Sequence, residues 1–133
     1  MSLAGPALLL MAHSLPPLTE SQQRFFREGI RLFNEEKFFE CHEALEQAWL
    51  AASGGQKLFL QGLIQVAVAM HHLRRNNLEG AGRLLSAGIQ KLTPFAPAHE
   101  SIEIGRLLSD LQPLCDQIAS RRVACDWQPP RIH

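Results

Sequence analysis

Residues 38–49 read FFECHEALEQAW, and residues 61–72 read QGLIQVAVAMHH. In the first stretch, His42, Glu46 and Trp49 follow one another at intervals that place them on one side of an α-helix. The second stretch carries a comparable polar stripe on a helix whose other sides are apolar, and the stripe consists of Gln61, Gln65, Val68 and His72. The two stretches therefore predict neighbouring helices that both present polar side chains at the edge of an apolar core.

The apolar spacing on either side of these stretches predicts four consecutive helices, at about residues 19–34, 37–52, 56–75 and 78–92. Thr19 and Gln22 form a capping box for the first helix, and the Ser53-Gly54-Gly55 segment is expected to end the second. A further helix is predicted to begin between residues 98 and 104. Pro113 lies within its apolar pattern and either kinks one helix or opens another.

A weak internal repeat, which we call the echo, relates the first two helices to the next two at an offset of forty residues. The matched pairs include Phe26 with Val66, Gly29 with Ala69, Leu45 with Leu85, and Ala48 with Gly88. Small residues match small ones, as at the crossing point of two antiparallel helices, which resembles the hairpin of tetratricopeptide repeats. The predicted fold is an all-α compact bundle of two stacked antiparallel helical hairpins, with one or two C-terminal helices.

Length and composition indicate how the chain is divided into a domain and its flanking segments. A chain of 133 residues, 46% of them hydrophobic, predicts one helical domain at residues 19–122. We expect a flexible N-terminal arm at 1–18 and an extended tail at 123–133, on which Trp127 docks against the bundle. The apolar run at residues 7–12 is too short to cross a bilayer.

The formal net charge is zero, which argues against nucleic-acid or membrane partners. The three cysteines lack Cys-x-x-Cys spacing, which favours reduced thiols and a cytoplasmic location. The sequence leaves open a protein or small-molecule partner and a homodimer.

One hypothesis for the polar stripes is a metal site. His42 and Glu46 lie one helical turn apart, and His72 would come from the next helix, with Glu43 as a candidate general base. Two histidines and one carboxylate with open positions suit zinc or iron(II). This hypothesis predicts a metal-dependent hydrolase or oxygenase.

Two other hypotheses need no metal. The polar side chains could form a buried hydrogen-bonded network that fixes how the hairpins meet. Alternatively, they could line a pocket for a small ligand or a partner, which would make the protein a binding or interaction module. All three hypotheses expect His42 and His72 to face each other, with acids and amides between them, while His71 and His99 lie elsewhere, His99 being exposed.

Both stretches, with Asn76 and Gly80-Ala81 following, resemble domain-of-unknown-function family 309, a group of small all-helical proteins. The resemblance covers about residues 25–97. It implies an all-α bundle but no activity. The residues that match the family pattern as candidate ligand-binding positions are His42, Glu43, Glu46, Trp49, Gln65 and His72.

Overall fold

The computed structural model describes residues 15–133, and within them the chain is all-α. Its helices are α1 (Glu20–Asn34), α2 (Phe38–Leu50), α3 (Gly54–Arg74), α4 (Leu78–Leu92) and α5 (Ile104–Ala119), with a short 3₁₀ turn at Thr93–Phe95. Each of the first four helices packs on the next one in the chain, and α5 packs on α4 and on the 3₁₀ turn. The predicted all-α bundle is confirmed, and α3, which contacts both α2 and α4, lies at its centre.

The sequence echo is repeated in the backbone at the turn of each hairpin. Glu36 and Asn76, forty residues apart, both adopt the left-handed conformation, with φ of 63° and 58°. In both hairpins the N–H of the following residue donates to the carbonyl five residues back, over 2.9 Å. The predicted pairing of α1 with α2 and of α3 with α4 follows from these turns, whereas the specific likeness to tetratricopeptide hairpins stays a prediction.

Glycines allow the paired helices to approach each other closely. A Cβ atom on Gly29 of α1 would lie 2.5 Å from Cδ2 of Leu45 on α2. A Cβ on Gly88 of α4 would lie 2.9 Å from Cγ2 of Val66 and 3.0 Å from the carbonyl oxygen of Gly62, both on α3. The small residues that the echo singled out therefore mark the helix crossings.

Two predicted boundaries need correction. Gly54 and Gly55 do not end α2 but begin α3, with Ser53 in extended conformation just before it. Serine before a helix and glycine after one are both common, so the two signals competed within this segment. Pro113 lies inside one continuous helix, α5, which answers the question that the sequence left open.

The chain ends pack on the bundle where the structure describes them. The predicted arm falls largely on residues 1–14, which lie outside the described residues. Leu18, however, is buried, and the Pro16 carbonyl accepts a hydrogen bond from Gln56 Nε2 over 2.8 Å. At the other end, Ile132 is buried, its N–H donates to Asn34 Oδ1 over 2.8 Å, and Trp127 packs against the core.

Among residues 15–133, no helix combines the length and the apolar character that crossing a bilayer would require.

Candidate functional site

The predicted pair on α2 is present in the structure. Nε2 of His42 lies 3.0 Å from Oε2 of Glu46, one helical turn further along. The His42 ring is partly buried, and within residues 15–133 its other nitrogen, Nδ1, has no hydrogen-bond partner. One side of the imidazole is therefore satisfied by a carboxylate, and the other remains able to accept or donate a hydrogen bond, depending on protonation.

The expectation that His42 and His72 face each other is corrected by the structure. The Phe39 ring lies 5.8 Å from the His42 ring and 5.7 Å from the ring of His71, so His71 is the histidine that shares this contact. His72 instead lies with Nδ1 3.0 Å from Nδ2 of Asn77. Adjacent residues on a helix point about 100° apart, and that angle directs His72 toward the turn that begins α4.

The three proposed metal ligands are not brought together as one group. Within residues 15–133, no three His, Cys, Asp or Glu side chains are arranged to hold a metal ion. Of these three residues, only His42 and Glu46 are in contact. His72 instead contacts Asn77, whose Oδ1 accepts a hydrogen bond from the Gly80 N–H over 3.1 Å. The proposed general base, Glu43, is exposed on α2.

The hypothesis of a fully satisfied polar network also needs correction. Three buried side-chain atoms in this region have no hydrogen-bond partner within the described residues, and they are Nδ1 of His42, Nε1 of Trp49 and Oε1 of Gln65. They comprise an indole N–H that donates, an amide oxygen that accepts, and an imidazole nitrogen that donates or accepts depending on its protonation. Buried polar groups in folded proteins are nearly always paired, so these atoms distinguish the region from an ordinary core.

A shallow depression lies over α3 beside these residues, and we call it the α3 groove. One part of about 250 Å³ is lined by Glu46, Trp49, Gln61 and Ile64. A second part, also about 250 Å³, is lined by Trp49, Gly54, Lys57, Leu58, Gln61 and Lys91. Because both parts share Trp49 and Gln61, they adjoin each other over α3, where α2 contributes Glu46 and Trp49 and α4 contributes Lys91.

The Trp49 ring is held between the two parts of the groove. Nζ of Lys57 lies 4.2 Å from the centre of the ring, which is a cation–π contact. On its other flank, Glu46 and Ile64 share a cavity with the ring. Trp49 was predicted as a binding residue, and that role stays a prediction.

Sequence reasoning missed the residues that complete this region. Phe39, Lys57, Lys91 and His71 were not among the predicted site residues. Lys57 precedes Gln61 by one helical turn, so extending the predicted stripe of α3 by four residues would have included it. Lys91 comes from α4, and no periodicity within α3 could have indicated it.

His99 also departs from expectation. It was expected to be exposed, yet it is partly buried, with Nε2 3.0 Å from Oε1 of Gln56 and its ring packed edge-on against Phe59. Gln56 also donates from Nε2 to the Pro16 carbonyl and to Glu100 Oε1. This cluster therefore provides a satisfied polar network at the start of α3, where none was predicted.

Burial alters the protonation of His71. Desolvation lowers the pKa of its imidazole below 6.5, and the electrostatic influence of Arg75, His72 and His42 lowers it further, whereas Glu40 opposes the effect. The Phe39–His71 end of the site is therefore biased toward a neutral imidazole.

The sequence is similar to that of known proteins. "Uncharacterized protein YpuF" of Bacillus subtilis (strain 168) is 40% identical over 84 residues, which is 61% of this chain and 48% of the relative. The chain thus spans about half the length of that relative. Both polar stretches fall within residues 26–84, and this segment matches the family described as Domain of unknown function (DUF309), which confirms the resemblance found in the sequence.

Proposed function

We propose that the protein is a binding module and that the α3 groove, at Glu46, Trp49 and Gln61, receives its ligand, with Gln65 one helical turn beyond Gln61. The observation that carries this proposal is the set of three buried polar atoms without hydrogen-bond partners. They belong to His42, Trp49 and Gln65, all of which the sequence had marked as candidate binding residues. A ligand that forms hydrogen bonds with these atoms accounts for the polar side chains at this position.

The energetic argument concerns the cost of leaving these atoms unpaired. Each buried, unsatisfied polar group costs about 1–3 kcal/mol, and a whole domain of this kind is stable by only about 5–15 kcal/mol. Three such groups are therefore expensive for a domain of 133 residues. A bound group that accepts from the Trp49 indole and donates to Gln65 satisfies two of these atoms, which supports a binding role for the region.

The polar side chains of the groove favour a ligand that carries N–H donors. The Glu46 carboxylate and the Gln61 amide oxygen line the groove and accept hydrogen bonds, as does the Gln65 oxygen one helical turn beyond Gln61, while Trp49 and Ile64 offer apolar surface. The two parts of the groove, about 250 Å³ each, together fall within the roughly 300–1,000 Å³ that is typical of small-molecule sites. We infer a small ligand that carries an amine, amide or guanidinium group beside an apolar portion.

Within residues 15–133, no group of three ligands supports a metal-dependent hydrolase or oxygenase. We also propose a reducing, cytoplasmic compartment, which the free thiols Cys41, Cys115 and Cys125 support.

The test uses the indole N–H of Trp49 as its reporter in a ¹H–¹⁵N spectrum. A Trp127→Phe variant assigns the two indole signals, and the probes are methylguanidinium, acetamide and butylammonium. We expect at least one probe to move the Trp49 signal saturably in the wild-type protein and not in Gln65→Met.

The matched control is Gln47→Met, which removes an exposed amide from α2 and should bind the probe as the wild type does. The proposal fails if none of the probes moves the Trp49 signal, or if Gln65→Met binds the same probe as tightly as Gln47→Met.

A further inference from the structure

The chain has three lysines, and two of them line the same part of the α3 groove. Lys57 comes from the first turn of α3, and Lys91 comes from the last turn of α4. The third, Lys37, lies with Nζ 3.4 Å from Oε1 of Glu35. Within residues 15–133, neither Lys57 nor Lys91 has a carboxylate at ion-pair distance, and no acidic residue lines this part of the groove.

Ordinary structural roles account for only part of this arrangement. A cation in the last turn of a helix complements the helix dipole, which explains Lys91. The same rule disfavours Lys57, because it lies at the opposite end of a helix, where the dipole is positive. Its contact with the Trp49 ring holds the ammonium group at the groove instead of releasing it to solvent.

The backbone beside the lysines adds to the positive potential. Gly54 lines this part of the groove and has a φ of 57°, a conformation that glycine adopts at little cost. Ser53, before it, makes no side-chain cap, so its hydroxyl leaves the first N–H groups of α3 without a side-chain acceptor. These N–H groups and the two ammonium groups favour the same kind of ligand.

We infer that the Lys57–Lys91 part of the groove binds an anionic group, a carboxylate or a phosphate. The inference rests on the proposed function, since the two parts of the groove share Trp49 and Gln61. It makes the ligand zwitterionic, with its N–H donors at Glu46 and its anion at the two lysines. Charges of opposite sign at the two ends of the groove also fix the direction in which such a ligand lies.

The experiment titrates the full chain at neutral pH with inorganic phosphate, with acetate and, as a control for ionic strength, with chloride. The reporters are the backbone amides of Gly54 and Gly55 and the indole N–H of Trp49. We expect saturable shifts with phosphate or acetate that exceed those with chloride. The anion that binds more tightly identifies the phosphate or the carboxylate as the preferred group.

Variants assign the shifts to the lysines. Lys57→Met and Lys91→Met should each weaken binding at least about fivefold, because each removes a charge-assisted contact. Lys37→Met is the matched control and should bind as the wild type does. Thermal melting of every variant checks folding, and if Lys57→Met is unfolded, Lys91→Met decides the result.

Equal shifts with all three anions, or binding that survives in both Lys57→Met and Lys91→Met, would overturn the inference. The proposed function is judged separately by the methylguanidinium, acetamide and butylammonium titrations. Binding of one of these cationic or neutral probes together with failure of the anions would remove the anion subsite alone.

Discussion

Arg74, at the end of α3, binds the turn of the first hairpin through Glu36. Its Nη1 donates to the Glu36 carbonyl oxygen over 2.9 Å, and Nη2 contacts the Glu36 carboxylate. The guanidinium also lies 4.8 Å from the centre of the Phe38 ring. Because Glu36 has a φ of 63°, the second hairpin supports the backbone turn of the first at its least favourable residue.

Replacing Arg74 with Met should lower the free energy of unfolding by about 1 kcal/mol, since one backbone hydrogen bond and a partly exposed ion pair are lost. Arg75→Met is the control, because Arg75 is exposed and should change stability by less than about 0.5 kcal/mol. Urea denaturation measures both. Equal losses in the two variants would show that the contact with Glu36 contributes nothing specific.

Gly88→Ala should destabilise the protein by about 1–3 kcal/mol, because the new methyl group would lie 3.0 Å from the Gly62 carbonyl oxygen, which cannot move without shifting α3. Gly105→Ala is the matched control. Its Cβ would meet no atom closer than 3.6 Å, and alanine favours a helix over glycine. Gly105→Ala should therefore leave the melting temperature unchanged or raise it. A Gly88→Ala protein as stable as Gly105→Ala would contradict the close approach of α3 and α4.

The sequence predicts the helices well because their signals are local. Periodic apolar residues and the Thr19 capping box give α1, and the echo at forty residues gives both hairpin turns. The segment at Ser53 was misassigned because a helix end and a helix start require overlapping residue types.

The site was harder to predict because its partners come from different helices. Periodicity indicates which residues share a face, but not which neighbouring helix that face contacts. A rotation of about 100° separates His71 from His72, and only the packing of α2 against α3 decides which of them contacts Phe39. No pattern in the sequence indicated that Lys91 lines the groove, since its place there depends on how closely α4 approaches Trp49.

Acidification should destabilise the protein through His71. Burial lowers the pKa of this imidazole in the folded state below its ordinary value of 6.5, so the unfolded chain takes up the proton first. The contribution of His71 to stability is complete above about pH 6.5 and is lost as the pH falls through the folded-state pKa. Urea midpoints measured between about pH 7.5 and about pH 5.5 follow this loss.

The His71→Gln variant should show a weaker decline in stability over that range. His133→Gln, at the exposed end of the chain, should behave as the wild type does. A decline of the same size in His71→Gln and in the wild type would assign the pH dependence to other groups.

The three thiols should react at very different rates. Burial raises the pKa of the Cys41 thiol to about 12, and burial also raises the pKa of Cys115, whereas Cys125 is exposed. Because the thiolate is the reactive form, an aromatic disulfide reagent should label Cys125 first and Cys41 only after unfolding. Peptide mapping by mass spectrometry identifies the order, and Cys125→Ser should remove the fast phase. Labelling of Cys41 in the native protein at the rate of Cys125 would contradict its burial.

Three glutamine variants test whether the unpaired amide of Gln65, one helical turn beyond Gln61 of the α3 groove, is costly. Gln65→Met removes an oxygen that has no partner within residues 15–133, so stability should be unchanged or should rise by about 1 kcal/mol. Gln56→Met removes an amide that contacts the Pro16 carbonyl, Glu100 and His99, and it should cost at least about 2 kcal/mol. Gln47→Met, on the exposed side of α2, should stay within about 0.5 kcal/mol of the wild type.

The comparison of Gln65 with Gln56 decides between a binding site and a structural network. Both glutamines lie on α3 and both change to a side chain of similar length, so the variants differ mainly in the partners that are lost. Urea denaturation of the ligand-free protein measures each loss. If Gln65→Met were as damaging as Gln56→Met, the Gln65 oxygen would have a partner within the chain itself, and the proposed ligand would lose the unpaired acceptor beside the α3 groove.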